Sequence, residues 1–174
     1  MGSAKVPGSA REAELERMMR TYGNQLVGLC TGLLRDPMLA QDVVQETFIK
    51  SYRYMDTFRG ERQESEKAWL TRIAVNLCRD QQRSRWFRMI DRSVSFDTLP
   101  ERSAPVKDTH IELYQAVSQL PQKYREVILL HYFQDLDAGE IAQILGVSLS
   151  SVYRRLEKAR MKLKDQLERW EDDE

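Results

Sequence analysis

One stretch constrains the fold of this chain more tightly than any other: Asp137-Ala-Gly-Glu-Ile-Ala-Gln-Ile-Leu-Gly-Val-Ser-Leu-Ser-Ser-Val-Tyr-Arg-Arg-Leu-Glu-Lys-Ala-Arg-Met-Lys-Leu163. Ile141, Ala142 and Leu145 mark the inward side of one helix, and Val152, Leu156, Ala159 and Leu163 mark that of a second, at three-to-four spacing. Between them Gly146 is suited to the left-handed conformation that ends a helix, and Ser148 to the N-cap that starts one. Two short helices joined by a Gly-containing turn are the skeleton of a helix-turn-helix. The face that packing leaves free carries Ser150, Ser151, Tyr153, Arg154, Glu157 and Lys158, side chains that bond base edges and phosphates.

The same period recurs through the rest of the chain, and no alternating strand pattern of useful length interrupts it. A first helix is expected from about Ala10 to Leu34, with Leu15, Met18, Met19, Tyr22, Leu26, Leu29, Cys30 and Leu33 inward. Asp36-Pro37 signals a second helix with Asp36 as its N-cap. That helix is expected to run to about Met55 and to bury Ala40, Val43, Val44, Phe48, Tyr52 and Met55. Its other face shows Gln41, Asp42, Gln45, Glu46 and Lys50. Phe58-Arg59-Gly60 is expected to break it, and residues 61–64 to form a polar loop. A third helix from near Ser65 turns Trp69, Leu70, Ile73, Ala74, Leu77 and Cys78 inward and continues into Arg79, Arg83, Arg85 and Arg88.

Periodicity lapses from Met89 to Asp108, where Ser, Pro and mixed charge read as a flexible linker. Helices resume with Ile111, Tyr114, Val117 and Leu120. Pro121 opens another, with Tyr124, Val127, Ile128, Leu130 and Phe133 as core positions. The fold class is therefore all-α, as two small helical domains. Residues 10–88 and 109–167 are the domains and 89–108 the linker. Residues 1–9 are expected to be a tag or disordered leader, and 168–174 an acidic tail.

Charge is balanced overall across the 174 residues, yet its patterning is uneven. Lys67 to Arg92 holds seven Lys/Arg against two Asp, a net of +5, and Tyr153 to Lys164 holds six against one Glu, again +5. The last ten residues carry six acids and one Arg, a net of −5. Two local basic patches are what phosphate binding requires, because the relevant field decays within about 8–10 Å at physiological salt. Cys30 and Cys78 are the two cysteines, each in an apolar helical setting, and both read as core residues in a reducing cytoplasm. Neither His110 nor His131 stands at ligand spacing from a Cys, so no zinc site is expected. No nucleophile–base set or Gly-rich phosphate loop is present, which argues against an enzyme. No apolar run approaches the roughly 20 residues of a membrane span.

Two separate motif blocks resemble one family. Asp42-Val-Val-Gln-Glu-Thr-Phe-Ile49, Phe58-Arg-Gly60 and Ala68-Trp-Leu-Thr-Arg-Ile-Ala-Val-Asn76 resemble region two of extracytoplasmic-function (ECF, sigma-70 family) RNA polymerase sigma factors. Leu120-Pro-Gln-Lys-Tyr-Arg-Glu-Val-Ile128 and the following helix-turn-helix are similar to their region four. The resemblance covers about Leu15 to Leu167. It implies a cytoplasmic bacterial transcription initiation factor without catalytic residues, cofactor or metal. Such a factor binds core RNA polymerase through the β′ clamp helices and the β flap. It recognises promoter DNA at minus-ten and minus-thirty-five elements and aids melting. Many members are held inactive by an anti-sigma factor.

Carried over residue by residue, the resemblance assigns Asp42, Gln45, Glu46 and Thr47 to the polymerase surface. It assigns Arg72, Asn76, Arg79, Asp80 and Arg83 to the minus-ten strand. On the second helix of the helix-turn-helix, Tyr153, Arg154, Glu157 and Lys158 fall toward the major groove, and Ser150, Ser151 and Arg155 toward phosphates. Arg reads guanine bidentately; Glu157 either accepts from cytosine N4 or neutralises Arg154 or Lys158. Phe58 to Lys67 corresponds to the family's base-pocket loop, with Trp69 read as core. Here the chain departs from the pattern: eight residues separate Gly60 from Trp69 where a common form has six, and an aromatic is missing. The alternative reading is an autonomous helix-turn-helix transcriptional regulator, which would grip duplex DNA without polymerase.

Overall fold

The computed structural model describes residues 8–60, 64–91 and 109–172, and every described regular element is helical. Residues 1–7 of the expected leader (1–9), 61–63 of the expected loop, 92–108 of the expected linker (89–108) and the final two residues lie outside the described residues, while Gly8 and Ser9 open the first helix.

Three long helices build the first half: α1 (Gly8–Leu34), α2 (Pro37–Gly60) and α3 (Glu66–Asp91). Asp36 starts α2 as the sequence reading expects, its Oδ1 accepting from the Met38 and Leu39 N–H groups at 3.1 Å each. The Leu39 N–H bond and the ion pair with Arg85 hold the Asp36 carboxyl below its usual range, against a smaller desolvation effect. Arg11 near the start of α1 bonds the Tyr52 carbonyl near the end of α2, so α2 runs antiparallel to α1. Arg17 pairs with Glu66, and Gln82 bonds the Leu33 carbonyl, so α3 runs parallel to α1. Met18, Leu26, Leu29, Cys30, Met55, Leu70, Val75 and Cys78 fill the space between, all essentially inaccessible. A hydrogen bond to Cys30 and burial push the Cys78 thiol far above its ordinary range, so Cys78 is an inert core residue, and Cys30 is buried beside it.

Two expectations need correction here. The second helix does not end near Met55: α2 includes Phe58 and Arg59, and its last described residue is Gly60. Phe58 holds the last turn in place by stacking on Trp69, with ring centroids 4.3 Å apart and planes 11° from parallel. Also, α3 runs to Asp91 instead of ending near Arg88, because nothing in Met89–Asp91 stops a helix.

The second half comprises α4 (Thr109–Gln119), α5 (Gln122–Ile128), a π-helical turn (Leu129–Phe133), α6 (Ala138–Leu145) and α7 (Leu149–Asp172). Residues 168–172 thus belong to α7 and not to a separate tail. On α4 the inward residues are Ala116 and Val117, with Leu120 buried just past its end, while Tyr114 is exposed. In the π turn the Leu129 carbonyl accepts from Gln134 N–H five residues on, at 3.0 Å. The extra residue rotates Phe133 out of the core it was expected to join, leaving it 47% exposed. Its ring lies instead over Gly28 of α1.

The two halves do not stand apart. Their buried residues form one continuous cluster. Arg125 is buried at its centre, and its guanidinium donates to the Leu120 carbonyl at 2.8 Å and, across the halves, to the Leu33 carbonyl at 3.3 Å. Desolvation and the nearby Arg35 lower its pKa from the ordinary value, so these carbonyl partners are what make a buried cation tolerable. Truncating one fully buried leucine of this core, such as Leu130, should cost about 2–5 kcal/mol.

Candidate nucleic-acid interface

The helix-turn-helix is built by local chemistry. Asp137 and Glu140 form a reciprocal capping box at the start of α6: Asp137 Oδ1 accepts from Glu140 N–H at 2.8 Å, and Glu140 Oε2 from Asp137 N–H at 3.0 Å. Gly146 ends α6 at φ 66°, a left-handed conformation that a Cβ would strain. Ser148 then caps α7 by accepting from Ser151 N–H at 3.2 Å. Ile141, Ile144 and Leu145 of α6 pack with Val152, Leu156 and Ala159 of α7, all buried. Ile144 was absent from the sequence reading, and Ala142, which stood in its place, is only half-buried.

This packing leaves Ser150, Tyr153, Arg154, Glu157 and Lys158 exposed along one side of α7. Ser148 bonds both Ser150 and Ser151, and one arm of Arg154 donates to Ser151 Oγ at 3.3 Å, so the guanidinium is steadied before any ligand arrives. Glu157 has no ion-pair partner among the described residues. Its carboxylate is therefore open to an external donor and is not spent on Arg154 or Lys158. Ser151 and Arg155 are half-buried on the adjoining side.

A contributor that sequence reasoning missed is Lys123. It lines a recess of about 220 Å³ with Tyr124, Ser151, Arg154, Arg155 and Lys158. Four cations converge there without a lining carboxylate, an arrangement that lowers its own repulsion by taking an anion. Lys123 belongs to α5, so no helical period on α7 could have found it. The available signal was a cation beside Tyr124, on a helix whose apolar face seats α7.

On α3 the expected minus-ten residues divide. Asn76 is exposed, and Arg83 is exposed beside its ion-pair partner Asp80. Arg72 pairs with Glu64 at the base of the loop. Those two line a recess of about 240 Å³ with Tyr54, Thr57, Phe58 and Trp69. Trp69 is 5% exposed and stacked, a core aromatic as read from sequence. Arg79 turns toward the second half, where Glu126 takes its guanidinium at 3.1 and 3.2 Å. Arg79, Arg83, Gln82 and Trp86 thereby share one cleft of about 840 Å³ with Gln122, Lys123, Glu126 and Arg155.

On α2, Asp42 and Gln45 are exposed and Glu46 is half-buried. Thr47 is not on that surface: it is fully buried, and its hydroxyl donates to the Val43 carbonyl at 2.8 Å. Its place beside Phe48 and Val44 turns it inward, which removes it from the expected contact set. Beside Gln45 runs an apolar groove of about 610 Å³, lined by Leu15, Met19, Val44, Phe48, Ile49 and Tyr52 among others.

Comparison with known proteins gives the following. The family model for Sigma-70 region 2 matches residues 18–88, and that for Sigma-70, region 4 matches residues 110–163. The ECF RNA polymerase sigma factor SigW of Bacillus subtilis is 31% identical over 160 residues, covering 84% of each chain. The ECF RNA polymerase sigma factor SigL of Mycobacterium tuberculosis is 31% identical over 163 residues, 90% of this chain and 91% of that one. Among solved structures, the sigma factor RpoE in complex with the anti-sigma factor NepR from Bartonella quintana superposes with a TM-score of 0.76. It is 24% identical and matches 89% of this chain and 97% of that one, a likeness of fold.

Proposed function

This chain belongs to the sigma-70 family as an ECF RNA polymerase sigma factor, and from that premise we propose how its surfaces divide the work of promoter recognition. The family's members are transcription initiation factors without covalent chemistry of their own, so what needs assignment is contact and not catalysis. The autonomous regulator is not favoured, since the first half matches region two and not a separate sensory domain.

Duplex recognition at the minus-thirty-five element is assigned to α7. Tyr153, Arg154, Glu157 and Lys158 face the major groove, and Ser150, Ser151, Arg155 and Lys123 take phosphates. The observation that carries this reading is the exposed side of α7, where a steadied Arg154 and an unpaired Glu157 offer defined partners for guanine and cytosine edges. At the minus-ten element, Asn76 and Arg83 with Asp80 lie along the strand. The recess between Tyr54, Phe58, Trp69 and Arg72 is of a size for one extruded base. Arg79 joins this set only when released from Glu126.

The polymerase surface is assigned to Asp42, Gln45 and Glu46 on α2, an acidic and amide-bearing strip suited to Arg-rich β′ clamp helices. The second half would engage the β flap. Structures of similar fold are complexes with anti-sigma factors, and a partner of that kind is assigned to this chain too; a cytoplasmic location is assigned from its membership of an RNA polymerase factor family. Among the described residues no helix is long and apolar enough to cross a membrane.

The polymerase assignment is tested by the double substitution Asp42→Arg with Gln45→Arg. Both positions are exposed, so the fold should be kept. Affinity for purified core polymerase should drop by about tenfold or more, since like charges facing one another cost several kcal/mol. Unchanged affinity would move the polymerase surface elsewhere.

A further inference from the structure

The cleft of about 840 Å³ and the recess of about 220 Å³ have Lys123 and Arg155 in common, which line both. The two sides of that shared wall differ in chemistry. On the small side Arg154 and Lys158 join the pair, so four cations converge without a lining carboxylate. None of the four has an ion-pair partner among the described residues. Ser151 adds a hydroxyl there, already accepting from Arg154 at 3.3 Å.

The large side is walled by Trp86, which is 60% exposed, and by Pro121. Its one carboxylate, Glu126, is taken up by Arg79 at 3.1 Å and so does not oppose an anion. Gln122 spends its amide N–H groups on Gln82 at 2.7 Å and Glu126 at 3.2 Å. Its side-chain oxygen accepts no hydrogen bond among the described residues, which leaves an acceptor at the rim of an apolar, partly aromatic wall.

A ligand that answers both sides carries a compact cluster of negative charge joined to a flat ring with an N–H donor. One phosphoryl group brings about −1.5 to −2 near neutral pH and would balance only about half of four cations. Two or more linked phosphates balance them. The larger cleft is within the range of about 300–1,000 Å³ that holds small ligands, and an exposed indole stacks on any nucleobase. A nucleic-acid strand fits less well, because it spreads one phosphate to each base, whereas here the cations crowd one small recess beside one aromatic.

We infer that the paired recesses bind a free nucleotide carrying two or more phosphates, with its phosphates among Lys123, Arg154, Arg155 and Lys158 and its base against Trp86. The Gln122 oxygen accepts from a base N–H. The site forms in the free chain and needs neither promoter nor polymerase, so its test is separate from that of the sigma reading.

Calorimetric titration of the full free chain tests it with four probes: ATP, GTP, inorganic tripolyphosphate and adenosine. Both nucleotides should give saturable one-to-one binding, tripolyphosphate should bind about tenfold more weakly, and adenosine should give no measurable heat. Trp86→Ala should weaken ATP about tenfold, to the level of tripolyphosphate, and leave tripolyphosphate unchanged. Lys123→Ala should weaken ATP and tripolyphosphate alike, by about fivefold or more. Both positions are exposed, and unchanged helical circular dichroism confirms that each variant folds. Absence of saturable binding of ATP and GTP to the folded parent would overturn the site. Equal affinity for ATP and tripolyphosphate, unaltered by Trp86→Ala, would reduce it to an anion patch and overturn it as well. So would a single-stranded oligonucleotide that binds where neither free nucleotide does.

Discussion

Arg154 and Arg155 are neighbours in sequence but occupy different sides of α7, and their expected roles separate accordingly. Arg154 is exposed and steadied by Ser151, so it can present a flat fork to one base edge. Arg154→Ala should remove about 1–3 kcal/mol of discrimination at a single base pair of the minus-thirty-five element. Binding to a panel of promoter variants checks this, and a uniform loss across the panel would refute base reading. Lys123→Ala should behave in the opposite way, weakening all variants alike and reducing the slope of log affinity against log salt by about 0.9. A salt titration with the polymerase-bound factor measures it. The α7 side chains were legible in the sequence because a single helical period sorts inward from outward. Lys123 was not, because its place beside Arg155 is set by how α5 packs on α7. Thr47 misled in the reverse direction: a polar residue next to a polar strip, it satisfies its own hydroxyl on Val43 and disappears into the core.

At the level of elements, helix starts announced themselves through residues that need little context. Asp36, Ser65, Asp137 and Ser148 each accept a backbone N–H at the head of a helix, and each stands where a capping residue precedes an apolar period. Helix ends were harder. The helix α2 runs past the expected end near Met55 to Gly60, since the Phe58–Trp69 stack holds its last turn in place. The π turn at Leu129–Phe133 left no sequence mark, because one inserted residue changes which face is buried without changing composition. The capping box on α6 sets the entry into the helix-turn-helix. Asp137→Ala should therefore destabilise the chain by about 1 kcal/mol, within the usual 0.5–2 for a lost cap, with the DNA-facing residues themselves untouched. Urea denaturation gives the number, and a variant as stable as its parent would show that the box contributes nothing.

For the whole molecule, the sequence spoke clearly about two helical halves and said nothing of their contact. Periodicity tells which side of a helix is buried, not what buries it. Gly28 and Gly32 carry no mark in the sequence, yet Phe133 and Leu129 occupy the space their missing side chains leave. Arg79 read as a contact to the minus-ten strand, while in the structure Glu126 holds it. The central claim spans both halves: each supplies one DNA surface, and only polymerase brings the two to bear on a promoter together. Run-off transcription from candidate promoters with purified core polymerase tests that claim most directly. Addition of the chain should produce promoter-specific transcripts that neither polymerase nor chain yields alone. Transcripts that are the same with and without the chain, across all those promoters, would contradict it.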